Sequence, residues 1–253
     1  MAAKASVLND RGRIGLKAAL ITGMFSLWLM STATYASPYD PMIDYAAARH
    51  GVNRYLLRAI TEQESQKNPW TFNADGEGFQ FGSKEQAVSA LWAVNQSPWM
   101  AKVVPSEGDG PMVRRFFTSA NAALAFINGY QRSLSQQGKP YLVQRTDAGK
   151  EVNKGQARVR MLWMYNTDIG IAQISYRFHA RDIKSVQRWF DPAFNLDYAA
   201  TLLAKHKAKY GDDLTAAGYY HSGTNEYRRA YMKAIIPIYK KELANAGISY
   251  SGR

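Results

Sequence analysis

Cysteine is absent from the 253 residues. That excludes disulfides, thiol nucleophiles and thiolate-held metals. Histidine is scarce: His50, His179, His206 and His221 are the four, and none stands at the spacing of a zinc site. Neither a metal nor a cofactor is expected. Acidic residues are outnumbered by basic ones, 20 to 32, for a net charge of +12. A basic surface suits an anionic polymer or lipid. No Lys/Arg block is long enough to read as a nucleic-acid arm, since the densest pairs, Arg228-Arg229 and Lys240-Lys241, lie in helical sequence. Nucleic acid is therefore not an expected partner, and a DNA-handling role would rest on charge alone. Gly76-Glu77-Gly78 lacks the strand–helix surroundings of a phosphate-binding loop. Internal repeats and low-complexity runs are missing too. What remains is 46% hydrophobic and 13% aromatic residues, the composition of a folded protein. The length suits one elaborated domain or two small ones.

The N-terminus combines a basic region (Lys4, Arg11, Arg13, Lys17), an apolar run from Ala18 to Met30, and small residues Thr34 and Ala36 before Ser37. This is the pattern of a secretory signal peptide over residues 1–36, and the apolar run is short for a membrane span. An uncleaved anchor in the inner membrane is the alternative, and the only membrane contact expected. Both readings place residues 37–253 outside the cytoplasm, in the periplasm. The first 36 residues carry four bases and one acid, a net +3 of the total +12, so the remainder carries +9.

Along the remainder, residues 41–50 read as a helix with Pro41 at its start and Gly51 after its end. Asn53 is the candidate cap of a second helix. Apolar and aromatic residues flanking Asp75-Gly76-Glu77-Gly78 suggest a β-hairpin. Ser83 caps a helix through Val94, and Pro98 and the Pro105–Pro111 segment read as loop. A helix over Ser119–Leu134 follows. Tyr141–Arg145 and Val159–Tyr165 look like two strands, and the chain from Asn166 looks irregular. Asp191-Pro192 precedes a helix with Asn195 as a possible cap. Leu214–Tyr220 is a short helix. A last helix from Asn225 meets Pro237, which should kink or split it.

The second helix carries the most informative stretch, residues 55–69. Leu57, Ile60 and Glu64 share one helical face, so an apolar stripe ends in a carboxylate. Glu62 lies about 200° away around the helix and should face elsewhere. Partial desolvation raises the pKa of a carboxylic acid, the condition for a proton donor near neutral pH. Ser65 and Asn68 follow, and Pro69 marks the exit.

Glu64-Ser65 with Asn68-Pro69, then Gly170-Ile171-Ala172-Gln173-Ile174, then Tyr220-His221-Ser222-Gly223 followed by Tyr231, appear in that order. Together they resemble the motifs of the soluble lytic transglycosylase domain, a goose-type-lysozyme-like fold. Asp191-Pro192 and Asn195 also match the segment between the second and third motifs. The stretch Pro69 through Phe81 is similar to a subgroup tied to type IV secretion and conjugation systems. The chain departs from the family at His221, where Asn is usual. It departs again in the separation of Glu64 and Gly170, which leaves residues 82–160 as an insertion.

The resemblance implies a mainly α (α+β) fold: a lysozyme-like helical domain over 37–253 with a small β-hairpin region. Its core would be about 40–81 and 165–245, with a helical insertion at about 82–160. It implies that Glu64 is the catalytic acid and later base. Ser65, Gln173, Tyr220, His221 and Tyr231 are the implied substrate-binding residues. Ser65 would orient the Glu64 carboxylate or touch sugar, with helix capping as its alternative. Tyr220 and Tyr231 would stack on sugars or hydrogen-bond near Glu64. Asn68, Gly170 and Gly223 are motif residues with structural roles. The substrate it implies is the peptidoglycan glycan strand, to be cut between N-acetylmuramic acid and N-acetylglucosamine with formation of a 1,6-anhydro sugar. Components of a secretion or conjugation apparatus are further partners it implies. Asp168 is the nearest second carboxylate and reads as structural. Two alternatives stay open: a water-using muramidase of the same fold, and an inactive wall-binding scaffold.

Overall fold

The computed structural model describes residues 37–250 apart from 107, 109 and 148. The expected export signal, residues 1–36, lies outside the described residues. Local chemistry places the first elements where the sequence suggests. α1 (Asp40–His50) has Pro41 in its first turn and ends at Gly51, φ 64°. α2 (Arg54–Ser65) starts on Asn53, whose side chain accepts hydrogen bonds from the Tyr55 and Leu56 amides, and buries Leu56, Leu57, Ala59, Ile60, Thr61 and Ser65. β1 (Thr71–Ala74) and β2 (Glu77–Gln80) pair antiparallel across a two-residue turn. Asp75 and Gly76 both have positive φ (51° and 88°), as the tightest right-twisted hairpin turn requires.

The helices continue with α3 (Lys84–Gln96), capped by Ser83, and α4 (Ala120–Gln136), capped by Ser119. Between and after them lie β3 (Trp99–Val104), β4 (Val113–Phe117), β5 (Val143–Arg145) and β6 (Gln156–Met161). Then come β7 (Thr167–Ile169), β8 (Ile174–Ser175), α5 (Tyr176–His179), α6 (Val186–Trp189), α7 (Pro192–Tyr210), α8 (Asp213–His221) and α9 (Asn225–Asn245). The fold is mainly α, about 52% helical, with nine helices among the described residues. None of those helices is long and apolar enough to cross a membrane.

Two four-stranded sheets organise the chain. The first has the order β2-β1-β7-β8, so the hairpin is completed by strands about 90 residues further on. The second has the order β4-β3-β6-β5 and is covered by α4. The first sheet sits on a large apolar cluster, which Met100 of β3 and Phe116 of β4 also join, and the α4 side of the second sheet forms a small one. Ile43, Leu57, Ile60, Phe72, Ile171, Trp189, Phe190, Leu196 and Ile235 belong to the large one, and Ala101, Val103, Ala123, Ile127, Leu134, Leu142 and Ala157 form the small one.

Four local expectations are corrected. Strands β3 and β4 flank the expected Pro105–Pro111 loop, so the 82–160 segment, expected to be helical, holds a sheet beside its helices. Met100, Ala101 and Val103 are buried and the register to β6 is continuous, a non-local pairing that overrides the Pro- and Gly-rich surroundings. The strand expected at Val159–Tyr165 lies earlier, at Gln156–Met161, where β6 pairs parallel with β5. The cap of α7 is Asp191, whose carboxylate accepts from the Phe194 amide at 2.9 Å, and Asn195 lies inside the helix. α9 is not split at Pro237 but runs through it.

Buried ion pairs lock this arrangement. Lys67, at φ 56°, reaches Asp40 of α1 at 2.9 Å and Glu242 of α9 at 3.1 Å. Asp75 and Glu77 at the hairpin tip are buried against the second sheet. Asp75 meets Lys150 at 2.5 Å and Arg160 at 2.8 Å, and Glu77 meets Lys102 at 3.0 Å and Arg160 at 3.2 Å. Burial works against the Asp75 charge. Hydrogen bonds from Lys150 and Asn166 and the charges of Lys150 and Arg160 outweigh it and hold the carboxyl below its usual range. A depressed folded-state pKa means stabilisation that is present above about pH 3.9, the unfolded value, and lost as pH falls through the folded one. Asp75→Asn is expected to lower stability by about 2 kcal/mol at neutral pH. The gap to the parent should close below about pH 4 in denaturant titrations run across pH.

Candidate active site

The end of α2 brings Glu64 beside His221, Tyr220 and Tyr231, more than a hundred positions further along the chain. The Glu64 side chain is only 13% exposed, and its Oε1 stands 3.8 Å from His221 Nδ1 at the end of α8. The His221 ring lies flat on Tyr231 of α9, with centroids 4.2 Å apart and planes 3° from parallel. Its side chain is 41% exposed, so it lids Tyr231 and meets solvent.

The two tyrosines are held as neutral donors. Burial pushes the Tyr231 hydroxyl well above its ordinary pKa, and the Glu64 carboxylate within reach pushes it further. That hydroxyl is buried and has no hydrogen bond of full geometry among the described residues, although Glu64 is its close neighbour. Tyr220 is likewise raised well above 10, by burial first and then by the negative charges of Glu64 and Asp168. Its hydroxyl donates to the Ala172 carbonyl at 2.6 Å. With the Tyr220 proton given to Ala172 O, Tyr231 is the phenol from which a charged Glu64 carboxylate can accept.

Opposite Glu64 the 170–173 turn is built to be rigid. Gly170 has φ +84°, and a Cβ there would stand 2.4 Å from Asn195 Nδ2 and 2.5 Å from the Trp189 carbonyl. The buried Asn195 amide clasps the turn. It donates to Ile169 O and Trp189 O, both at 3.0 Å, and accepts from the Ala172 amide at 2.9 Å. This clasp differs from the capping role that the Asp191-Pro192 context suggests for Asn195. The available signal was its place on the buried stripe of α7 with Leu196 and Ala199.

Several expected roles change. Ser65 is buried, and its hydroxyl donates to Ile171 O at 2.6 Å, with Thr61 O at 3.1 Å as a second acceptor. It therefore cannot touch a sugar; it ties α2 to the turn. Tyr231 is 5% exposed and covered by His221, which rules out sugar stacking and leaves its hydroxyl beside Glu64. Tyr220 spends its hydroxyl on the turn. Gln173 (φ 49°) donates its amide NH2 to Gly170 O at 2.9 Å and to Thr71 O at 3.4 Å, which occupies both donors and leaves its carbonyl oxygen for a ligand. Asn68 accepts from the Trp70 amide at 2.9 Å and donates to Phe81 O at 3.3 Å, which sets the exit from α2. Gly223 needs no glycine: its φ is not left-handed, and a Cβ would meet nothing within 4 Å. Asp168 sits in β7 opposite Asn73 and Ser175, and its charge acts on Tyr220. No cluster of three or more His, Cys, Asp or Glu suited to a metal occurs among the described residues.

A family model described as Transglycosylase SLT domain matches residues 137–238. That stretch contains Gly170, Gln173, Tyr220, His221 and Tyr231 and stops short of α2. No curated protein and no solved structure matches the chain.

Proposed function

We propose that the protein is a peptidoglycan lytic transglycosylase in which Glu64 is the single acid and base. The observation that carries this reading is the convergence at one carboxylate. Glu64, which lies outside the matched segment, is enclosed by His221, Tyr220 and Tyr231 from inside it. In the proposed reaction the Glu64 carboxylic acid gives its proton to the glycosidic oxygen as the C1–O bond breaks and the bonding pair leaves with that oxygen. The C6 hydroxyl of the muramic acid then bonds to C1, and its proton passes to the Glu64 carboxylate. Glu64 ends protonated as it began, and no water is consumed. Tyr231 is the donor placed to accompany the carboxylate while it is charged. Gln173 and His221 line the cleft that takes the sugars.

The test is the mass of the products. Digests of purified peptidoglycan should give disaccharide-peptides about 18 Da lighter, by one water, than those of a hydrolase. Hydrated ends would favour a second reading, a muramidase in which Asp168 serves as the second carboxylate. Glu64 and Asp168 both stand near enough to Tyr220 for their charges to raise it, which puts a second carboxylate in the neighbourhood of the first. An inactive scaffold would release nothing.

The domain division follows the same reading. Residues 40–81 and 165–245 form the catalytic core, and 82–160 is an inserted module with its own apolar cluster, clamped to the hairpin through Asp75 and Glu77. The cell wall puts the site of action outside the cytoplasm. The likeness of residues 69–81 to the type IV secretion subgroup supports a role in opening the wall locally for such an apparatus.

A further inference from the structure

We propose that Trp163, Tyr165, Tyr176 and Phe178, with Arg177 among them, form a docking platform for peptidoglycan. The rings would stack on the sugars of a glycan strand and Arg177 would pair with a stem-peptide carboxylate. This rests on the function proposed above and adds a second binding site to it. The four rings are 51%, 47%, 37% and 71% exposed. Single exposed aromatics are ordinary, but a contiguous set marks an interaction site. Trp163 and Tyr165 are 5.8 Å apart, and Tyr165 meets Tyr176 edge-on at 6.1 Å. Tyr176 rests on the buried Trp189 at 5.6 Å, and the Tyr165 hydroxyl donates to Arg177 O at 3.1 Å. The platform is therefore anchored to the core rather than loosely displayed.

Arg177 lies over Trp163 at 5.6 Å and Phe178 at 5.5 Å, and no carboxylate of the described residues pairs with it. A cation held between two rings without an acid of its own complements an anionic ligand. Stem peptides of the wall carry such carboxylates. The extent of the surface argues against a protein partner. Four rings about half exposed offer roughly 400 Å², half of the ~800 Å² that a stable protein interface takes from each side. Rings at fixed tilts suit a thin, hydroxyl-rich polymer instead. The platform also stands at the opposite end of the short hairpin that carries the Gly170–Gln173 turn. Its two segments leave the end of the β7–β8 ladder away from the Gly170–Gln173 turn, one short strand or roughly 10 Å from it, so one polymer reaches both.

The experiment measures retention of the full chain carrying Glu64→Gln on purified sacculi by sedimentation. Adding Trp163→Ala with Tyr165→Ala should weaken retention about tenfold, equivalent to about 1.4 kcal/mol. Adding Arg177→Gln should reduce retention on sacculi and its salt dependence, and leave binding to peptide-free glycan strands unchanged. Retention unchanged in the double variant, with an unchanged melting temperature, overturns the proposal. Should that variant melt early, Phe178→Ala decides, because that side chain is mostly in solvent: a several-fold loss supports the platform and no loss overturns it. Digestion of sacculi by the unsubstituted protein is scored separately. Cleavage without ring-dependent retention leaves the enzyme standing and removes the platform. Ring-dependent retention without cleavage does the reverse.

Discussion

Glu64→Gln is expected to abolish release of soluble fragments from purified peptidoglycan, with turnover falling by at least about 10²–10⁴-fold. The substitution keeps the shape of the side chain and its place between His221 and Tyr231 and removes only the proton that moves. Because the carboxylate sits at the rim of the core rather than within it, the melting temperature should change by no more than about 4 °C, equivalent to about 1 kcal/mol. Glu62, two residues earlier on α2, supplies the control: Glu62→Gln should digest sacculi at near the parent rate. Full activity of Glu64→Gln in a fragment-release assay would take the residue out of the chemistry altogether.

Gly170→Ala is expected to be among the most destabilising single substitutions in the molecule. The left-handed φ of +84° costs a residue with a side chain about 1–2 kcal/mol. The new methyl would also have to displace the Asn195 amide or the Trp189 carbonyl, an overpacking of about 1–3 kcal/mol. Together these come to about 4 kcal/mol, a fall in melting temperature of roughly 8–16 °C for a chain of this size. Activity should fall further than stability accounts for, because the turn receives the Ser65 hydroxyl at Ile171 and the Tyr220 hydroxyl at Ala172. Gly223→Ala, in open space, should melt within about 2 °C of the parent, equivalent to about 0.5 kcal/mol. Paired thermal melts of the two variants check both statements at once.

The contrast between these glycines shows where motif reading stops. Gly170 and Gly223 look alike as motif letters, yet a Cβ has no room at one and meets nothing at the other. Ser65 and Tyr231 make the same point from the other side. Their place beside Glu64 suggested contact with substrate, and their burial assigns them to holding the catalytic helix and facing its carboxylate. The missed strands β3 and β4 have a similar origin. β3 finds its second partner, β6, more than 50 residues further on, and among the described residues β4 pairs only with β3, so neither strand is complete until that distant pairing forms.

The sequence alone determined what neighbours within about four residues decide. Asn53, Ser83 and Ser119 start helices because their side chains satisfy the first free amides, and Asp75-Gly76 turns a hairpin because both positions take positive φ. The apolar stripe of α2 pointed Glu64 at the core by periodicity. Tertiary structure decided which distant groups meet that carboxylate. His221, Tyr220 and Tyr231 are brought in by packing of α8 and α9 over a shared core, burial keeps the phenols protonated, and Asn195 of α7 clasps the neighbouring turn. Periodicity carries direction but not distance, so the partners of Glu64 could be counted only after the chain had folded.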